Sequence, residues 1–280
     1  MKKAVSILLS LFLLSGCAAS TASTAAASST VSADTMTITA FKAGKADAIL
    51  FTTSEGYVLM DTGLDDNKED LVDELEQMGV KELKALIITH FDKDHVGGAD
   101  AIIENFTVDT VYTTYVTSDN SDVQDFQQAL SAKNLKMTRV YDTTLTLGGA
   151  QFAINGAAGG YSEKEDNNSS LITLVTYGSK KYLFMGDAED ERIEEYMASH
   201  DVDVDFLKVP YHGYYQDDLE LLFDAATPSA AIITNSKNNP GKSGLADTES
   251  LLEKVGASYY ETANGVITVT CTSTGFTVAQ

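Results

Sequence analysis

The stretch Thr-His-Phe-Asp-Lys-Asp-His-Val-Gly-Gly at residues 89–98 contains four side chains that can bind a metal ion: His90, Asp92, Asp94 and His95. It follows an apolar run, residues 85–89, which predicts a buried strand. Metal ligands held at the end of a rigid strand form a pre-organised site. The sequence therefore predicts a metal centre here, and the two glycines predict a tight turn into a following helix.

Further candidate ligands also stand directly after apolar runs. They are Asp61 after residues 57–60, Asp187 after residues 181–185, and His212 after residues 206–209. In a layered sheet fold, the ends of neighbouring strands converge on one crevice. We therefore expect these side chains to meet the 90–95 group at one edge of a sheet.

Outside these points, short β-prone runs alternate with single amphipathic helices in two roughly similar halves. Predicted strands cover residues 36–41, 48–53, 57–61, 83–89, 108–115, 145–155, 171–177, 181–185, 206–209 and 230–234, with a hairpin over 258–278. Predicted helices cover residues 65–78, 98–105, 123–135, 188–199, 217–225 and 248–255. This order predicts two mixed sheets packed face to face, with helices outside.

From about residue 36 to the C-terminus, these motifs resemble the metallo-β-lactamase superfamily, and in particular the branch that contains the hydrolase domain of the competence protein ComEC. The superfamily pattern is His-x-His-x-Asp-His followed by Gly-Gly, and Asp92 replaces its second His, as in that branch. Residues 56–63, 167–187 and 207–213 match further segments. The resemblance implies an α/β (α+β) fold, a four-layer αββα sandwich, with a two-metal site at one edge.

The resemblance also implies a role for each matching residue. The first metal would be bound by His90 and Asp92, the second by Asp94, His95 and His212, and both by a bridging Asp187. Asp61 would orient a ligand by a hydrogen bond, Asp94 would also orient a metal-bound hydroxide for catalysis, and Tyr211 and Asn168 would contact the substrate. The metal pair would lower the pKa of that hydroxide and stabilise the oxyanion formed at a phosphoryl or acyl centre.

Departures from the family pattern affect the choice of metal and substrate. No histidine lies between His95 and His200, so Asp166, Asn168 or a water would complete the first metal shell. One nitrogen plus oxygens is a hard ligand set, which favours Mn²⁺ or Mg²⁺ over Zn²⁺. Tyr211 replaces the first of two paired histidines, and the family's C-terminal His is missing, so activity or specificity is expected to differ.

Single residues also have structural interpretations. Asp61 can be a turn residue, and His200 an exposed group at a helix end. Asp187 can be the N-cap of the helix predicted over residues 188–199, a position at which Asp is favoured. If these residues did not bind metal, five candidate ligands would have to match the family order by chance, so we prefer metal binding.

The N-terminal region predicts export and anchoring. We expect residues 1–16 to be a lipoprotein signal peptide, residues 17–35 a lipidated Cys17 and an Ala/Ser/Thr-rich tether, and residues 36–280 the hydrolase domain. Lipid on Cys17 would attach the protein to the extracytoplasmic face of a bacterial membrane. An ordinary secretory signal is the alternative. Cys271 is expected to be a small buried hydrophobe.

The formal net charge of the 280-residue chain is −22. Such a surface disfavours nucleic acid unless a basic patch or bound cations offset it. Lysines that could form a basic rim, or equally be solvated surface groups, are Lys42, Lys45, Lys93, Lys208, Lys237 and Lys242.

Three functions are compatible with these features. The first is metal-dependent hydrolysis of phosphoester bonds, with DNA, another phosphodiester or a small molecule as substrate and zinc or manganese as cofactor. The second is hydrolysis of an ester or amide such as a lactone or β-lactam. The third is an inactive metal-binding lipoprotein that acts as a binding module. The hard first site and the ComEC-like motifs favour the first function.

Overall fold

The computed structural model describes residues 35–162, 164, 166–237 and 244–280. The predicted signal peptide, Cys17, almost all of the tether and Lys242 lie outside these residues. The strands are β1 (Met36–Ala40), β2 (Ile49–Thr53), β3 (Gly56–Met60), β4 (Glu82–Ile88), β5 (Thr107–Val108), β6 (Val111–Thr113), β7 (Met137–Arg139), β8 (Asp142–Leu147), β9 (Ala150–Asn155), β10 (Ile172–Tyr177), β11 (Lys180–Phe184), β12 (Phe206–Lys208), β13 (Ala230–Ile233), β14 (Ser258–Glu261), β15 (Ile267–Cys271) and β16 (Phe276–Ala279).

The helices lie between these strands. They are α1 (Lys68–Gln77), α2 (Lys93–Val96), α3 (Ala99–Asn105), α4 (Ser121–Ala132), α5 (Asp190–Met197), α6 (Leu219–Ala226) and α7 (Leu245–Lys254). Among the described residues, no helix is both long and apolar enough to cross a membrane.

Two mixed sheets form the centre of the molecule. The first has the strand order β16-β15-β1-β2-β3-β4-β6-β7, with β5 paired to β4. The second has the order β14-β13-β12-β11-β10-β9-β8. In the first sheet β3 pairs with β4 in parallel, and in the second β11, β12, β13 and β14 are all parallel. The carboxyl ends of these parallel strands therefore lie at one edge of each sheet.

Burial on both faces of the central strands produces the layers. Along β2, Ile49 and Phe51 face the core between the two sheets, whereas Leu50 faces the outer core on the helix side of the first sheet. Strand side chains alternate between faces, so a run that is apolar at every position is covered on both sides. Helices α1, α3 and α4 cover the first sheet, and α5, α6 and α7 cover the second. The predicted αββα sandwich is confirmed.

Some predicted elements differ from the structure. The strand predicted over 145–155 is the hairpin β8–β9, which turns at Gly148 and Gly149, both with positive φ. The hairpin predicted over 258–278 is also wrong in its first half. Strand β14 pairs with β13 in the second sheet, whereas β15 pairs with β1 in the first. The chain crosses between sheets there, and only β15–β16 form a hairpin.

Candidate metal centre

The connection after β3 places a buried carboxylate against the ligand-rich stretch. Asp61 has a left-handed backbone with φ 55°, a conformation that Asp tolerates better than most residues. Its Oδ1 accepts the Thr89 backbone N–H at 2.8 Å, and its Oδ2 accepts the Thr89 hydroxyl at 2.8 Å. The same Oδ2 lies 2.9 Å from Nδ1 of His95. This contact directs His95 Nε2 away from Asp61 and into the site, the geometry that an orienting group would have.

The two glycines of the motif form the turn into helix α3 that the sequence predicted, and they also let the chain pack closely. Gly97 and Gly98 have right-handed φ values of −56° and −92°. A Cβ on Gly97 would lie 2.4 Å from the Asp65 nitrogen, and one on Gly98 would lie 2.6 Å from the Thr62 oxygen. Glycine therefore allows the connection after β3 to lie directly on the short helix α2, which the sequence did not predict.

Two histidines contact one carboxylate at the edge shared by both sheets. His95 Nε2 lies 3.2 Å from Asp187 Oδ1, and His212 Nε2 lies 3.1 Å from Asp187 Oδ2. The two imidazole Nε2 atoms are 3.3 Å apart. On the far side of its ring, His212 Nδ1 lies 2.8 Å from the Thr234 carbonyl oxygen, which fixes the ring orientation. Each carboxylate oxygen of Asp187 thus contacts a different histidine, the arrangement expected of a bridging ligand.

A strained turn brings His212 to this position. Tyr211, His212 and Gly213 have φ values of 49°, 54° and 79°. The left-handed region is unfavourable for residues with a Cβ, and such strain is concentrated at functional sites. The turn begins after β12 at Pro210. The turn brings the His212 imidazole into contact with Asp187. It leaves the half-buried Tyr211 ring with its centroid 4.9 Å from that of Tyr214.

The environment of His90 differs from that of the other two histidines. Its Nδ1 lies 3.1 Å from the Thr89 hydroxyl and 3.4 Å from the Ser170 hydroxyl. Its Nε2 is buried and has no hydrogen-bond partner among the described residues. Burial and the neighbouring His95 lower the pKa of His90 to about 3, so the ring is neutral and its Nε2 can serve as a ligand. A buried, orphaned ring nitrogen fits a site that a metal ion completes.

Asp92 lies at the mouth of the site, and its side chain is 52% exposed. Its Oδ2 is 4.0 Å from His90 Nε2. Two ligands of one metal ion can be no further apart than about 4.3 Å, twice an ordinary bond length to nitrogen or oxygen. Asp92 and His90 can therefore share an ion.

The structure separates the residues considered for the remaining ligand of the first metal. Asn168 was also predicted to contact the substrate, but its Oδ1 accepts the Glu189 N–H at 3.0 Å and its Nδ2 donates to Glu191 at 2.9 Å. This buried amide therefore holds the start of α5, and its contact with substrate stays a prediction. Asp166 is buried, and burial together with the Asp92 charge raises its pKa to about 7. Asp166 is thus a carboxyl group on the Asp92 side of the site.

Asp94 lies between His212 and a lysine. Its Oδ2 is 3.5 Å from His212 Nε2 and 2.7 Å from the Lys45 ammonium. Lys45 comes from the connection between β1 and β2, which therefore forms one wall of the site. The sequence placed Lys45 only in a possible basic rim.

A buried ion pair beneath the site was missed by the sequence analysis. Lys208, predicted to be a rim or surface lysine, is fully buried, so that prediction is wrong. Its Nζ lies 2.6 Å from Asp47 Oδ2, donates to the Gly186 carbonyl at 2.9 Å and is 3.7 Å from Asp187 Oδ1. The available signal was a lysine between apolar residues of a buried strand, because lysine is almost never fully buried unless paired.

The electrostatics of the cluster favour cations. Burial lowers the pKa of His95 and of His212, but the surrounding carboxylates, with Asp187 foremost, together outweigh burial and raise both. Burial raises the pKa of Asp187, but the two histidines outweigh it and hold that pKa well below its usual range. A concentrated group of carboxylates thus stabilises positive charge, whether it is carried by protons or by metal ions.

The residues present fit metal binding by distance as well as by chemistry. Three sets of side chains each bring one possible ligand atom within 4.8 Å of the others: His90, His95 and Asp187; Asp94, His95 and His212; and Asp47, Asp61 and His95. His95 and Asp187 connect the His90 side of the site to the His212 side. The cluster can therefore hold two cations, with the two oxygens of Asp187 as the shared ligand.

The alternative structural roles can also be compared with the structure. Helix α5 begins at Asp190, and its N-cap is Glu189, so the interpretation of Asp187 as an N-cap is wrong. His200 stacks on the Tyr196 ring at 4.3 Å, after the end of α5, and belongs to the surface of that helix. Cys271 is buried, as predicted.

Residues 42–234 match the family model of the metallo-beta-lactamase superfamily. The chain belongs to this superfamily. Its members are metal-dependent hydrolases that typically bind divalent metal ions, in agreement with the His/Asp clusters above.

Individual relatives support the same branch and fold. The chain is 29% identical over 172 residues to ComE operon protein 3 of Bacillus subtilis, a match that covers 60% of this chain and 22% of that protein. It is 27% identical over 166 residues to Recombination protein 2 of Haemophilus influenzae, covering 57% of this chain and 18% of that protein. The chain thus spans about a fifth of the length of these relatives, and the predicted ComEC-like resemblance is confirmed.

The metallo-beta-lactamase fold protein YhfI from Bacillus subtilis superposes with a TM-score of 0.55 at 14% identity, covering 88% of this chain and 100% of that one.

Proposed function

We propose that this metallo-beta-lactamase-fold hydrolase cleaves phosphoester bonds, using two divalent cations held between His90, Asp92, Asp94, His95, Asp187 and His212. The observation that carries the proposal is Asp187, whose two oxygens each contact a different ligand histidine. The His90 side adds one nitrogen and the carboxylates of Asp92 and Asp166, a hard ligand set that suits Mn²⁺ or Mg²⁺. The ComEC-like motifs of the sequence favour the same choice.

When bound, the cation pair supplies a hydroxide nucleophile and charge stabilisation for the departing oxygen. The protein residues provide the geometry. Asp61 holds His95 through Nδ1, and Thr234 holds His212 in the same way, so both Nε2 atoms are fixed before a cation arrives. Asp94 lies at the open side of His212, where it can accept a proton or orient the nucleophile. The pKa of Tyr211 is raised by burial, so its hydroxyl stays protonated near neutral pH and can donate to a substrate oxygen.

The experiment is a paired metal and substrate assay on the purified protein. Apo-protein is reloaded with Mn²⁺, Mg²⁺ or Zn²⁺, metal content is measured by mass spectrometry, and hydrolysis of bis(p-nitrophenyl) phosphate is compared with that of a lactone and a β-lactam. The proposal expects metal-dependent turnover of the phosphodiester above that of the other two. Faster turnover of the lactone or β-lactam would support the ester or amide alternative, and metal binding without turnover would support the binding-module alternative.

The nature of a phosphoester substrate follows from charge. With a net charge of −22, the protein repels a polyanion, so we propose a small phosphodiester before DNA. Digestion of single- and double-stranded DNA beside the small substrate at low and high salt tests this choice. A higher kcat/KM for DNA at low salt would contradict it.

We further propose that the protein is a lipoprotein anchored through Cys17 to the extracytoplasmic face of the membrane. The support is the order Leu-Ser-Gly-Cys at the end of the apolar run over residues 5–14. Cys17→Ser should move the protein from the membrane fraction to the soluble fraction. Equal membrane fractionation of variant and wild type would contradict lipidation, and Cys271→Ser is the matched control because Cys271 is buried in the fold.

A further inference from the structure

Two ammonium groups contact the carboxylates of the metal centre, and they differ in what they can reach. Lys208 is fully buried and is held by Asp47 and the Gly186 carbonyl. The Lys45 side chain is 29% exposed, and its ammonium lies 2.7 Å from Asp94 Oδ2 at the open side of the site. Of these two cations, Lys45 alone can meet a molecule that enters from solvent.

Aromatic rings fix the direction of the Lys45 side chain. Its Nζ lies 5.8 Å from the centroid of the Tyr211 ring and 5.3 Å from that of Tyr214. The two rings pack edge to face, so they form one surface beside the ammonium. A cation within about 6 Å of a ring is attracted to the ring face, which limits the directions that the lysine can sample.

A cation bound at Asp94 changes what this lysine can do. It would neutralise the carboxylate that Lys45 now contacts, and two positive charges would then face each other across a few ångströms. The ammonium and the cation repel each other unless an anion lies between them. An anion in that position is attracted by both positive charges. Phosphoryl oxygens carry that negative charge, whereas the carbonyl of a neutral ester or lactone does not.

We propose that Lys45 is a specificity-determining residue that binds a non-bridging oxygen of an anionic phosphoryl group. This inference rests on the proposed phosphoesterase function, and it names the part of the substrate that is recognised. The Tyr211–Tyr214 surface keeps the ammonium at the mouth of the site. A neutral ester has no negative charge to pair with the Lys45 ammonium, so Lys45 does not strengthen its binding.

The experiment compares Lys45→Met with Lys45→Arg, and uses Lys42→Met as the matched control. Lys42 is an exposed lysine on the same β1–β2 connection, so its removal changes net charge equally. Binding of inorganic phosphate to the Mn²⁺-loaded proteins is measured by calorimetry, and metal content is measured in parallel. Hydrolysis of bis(p-nitrophenyl) phosphate and of the neutral ester p-nitrophenyl acetate gives the selectivity.

Lys45→Met is expected to weaken phosphate binding about tenfold or more, the usual size of a lost charge-assisted hydrogen bond. Its metal content should be unchanged, and its hydrolysis of the neutral ester should fall by a smaller factor than its hydrolysis of the phosphodiester. Lys45→Arg should bind phosphate within about threefold of wild type, since it keeps the charge, and Lys42→Met should match wild type.

Either of two results would overturn the inference. Phosphate affinity of Lys45→Met equal to that of wild type would show that the lysine does not contact the anion. Loss of metal from Lys45→Met would show that the lysine holds Asp94 for the metal. If phosphate binding depends on Lys45 but the wild type hydrolyses no phosphodiester, the proposed function fails while the recognition of a phosphoryl anion stands.

Discussion

The side of the metal centre around His95 and His212 is built differently from the side around His90. The first two rings are buried, and each has its Nδ1 held by a partner, Asp61 or the Thr234 carbonyl. On the other side, the partners of the His90 Nδ1 are the neutral hydroxyls of Thr89 and Ser170, at 3.1 and 3.4 Å. The His90 Nε2 lacks a partner among the described residues, and the nearby Asp92 carboxylate is half exposed to solvent.

This difference indicates where the protein fixes geometry and where it allows exchange. Orienting partners hold ligands in place before an ion arrives, which favours tight binding on the His95–His212 side. A solvent-exposed carboxylate can move, so the His90 side should bind its ion more weakly and accept a wider range of ions. The four predictions below test this asymmetry.

The largest effect is expected from Asp187→Asn, which removes the charge shared by both sides at constant size. Asn cannot offset the repulsion of two cations, so the variant should lose at least one metal ion, and its turnover should fall more than about 100-fold. This loss is larger than the one expected when a residue that only orients a ligand is removed. Metal content by mass spectrometry and the rate of phosphodiester hydrolysis check this outcome. Two metals per chain at an unchanged rate would exclude a bridging role, and Asp201→Asn, an exposed carboxylate on the same half, is the control.

A smaller but still large effect is expected from Asp61→Asn. Asn tolerates the left-handed backbone at this position, so the change removes the charge behind His95 with little backbone cost. Removing the partner of a ligand histidine typically lowers metal affinity or activity 10–100-fold. Metal affinity measured by competition with a chelator tests the prediction. An affinity equal to that of Asp66→Asn, an exposed neighbour in the next turn, would contradict it.

Metal exchange should separate the two sides without a substitution. We expect the first equivalent of Zn²⁺ to occupy the His95–His212 side, since imidazole suits zinc, and Mn²⁺ to be required on the oxygen-rich side. Activity with Mn²⁺ present should exceed activity with Zn²⁺ alone by several-fold. Apo-protein titrated with each ion, with Mn²⁺ followed by electron paramagnetic resonance, provides the measurement. Full activity with Zn²⁺ alone and none with Mn²⁺ would count against the assignment.

The smallest effect is expected from Asp92→Asn. The carboxylate is half exposed, so a water or the buried Asp166 can replace it at the ion, and turnover should fall by no more than about tenfold. The His95–His212 side should keep its metal. Asp166→Asn is the informative comparison, because it removes the buried carboxylate of the same side. If turnover fell as much in Asp92→Asn as in Asp187→Asn, the His90 side would tolerate the loss of a ligand no better than the His95–His212 side.

The sequence predicted the site well where ligands follow strands. His90, Asp187 and His212 each come shortly after an apolar run, and parallel strand ends must meet at one edge, so their convergence follows from the pattern. The position of Asp61 at this edge was predicted for the same reason, whereas its orienting role was implied by the family resemblance. The order of strands and helices also predicted the sandwich, because single helices between short strands have few other ways to cover two sheets.

The sequence failed where a contact depends on tertiary approach. Nothing local indicates that Asp47 and Lys208, on different sheets, form a buried pair, and a lysine near a loop is usually at the surface. The hydrogen bonds of the Asn168 amide to Glu189 and Glu191 were missed for a similar reason, since these partners are more than 20 residues away. The β8–β9 turn was missed because two glycines inside an otherwise β-prone run were read as continuous strand.

The Asp47–Lys208 pair also decides how the molecule can fold. Asp47 belongs to a connection of the first sheet and Lys208 to the last position of β12 in the second. In the intact molecule each charge is buried with a counter-ion that comes from the other sheet, and removing one partner of such a pair costs about 3–5 kcal/mol. The two similar halves therefore form one cooperative unit. Unlike the units of a repeat protein, neither half is expected to persist as a folded fragment after the chain is cut between them.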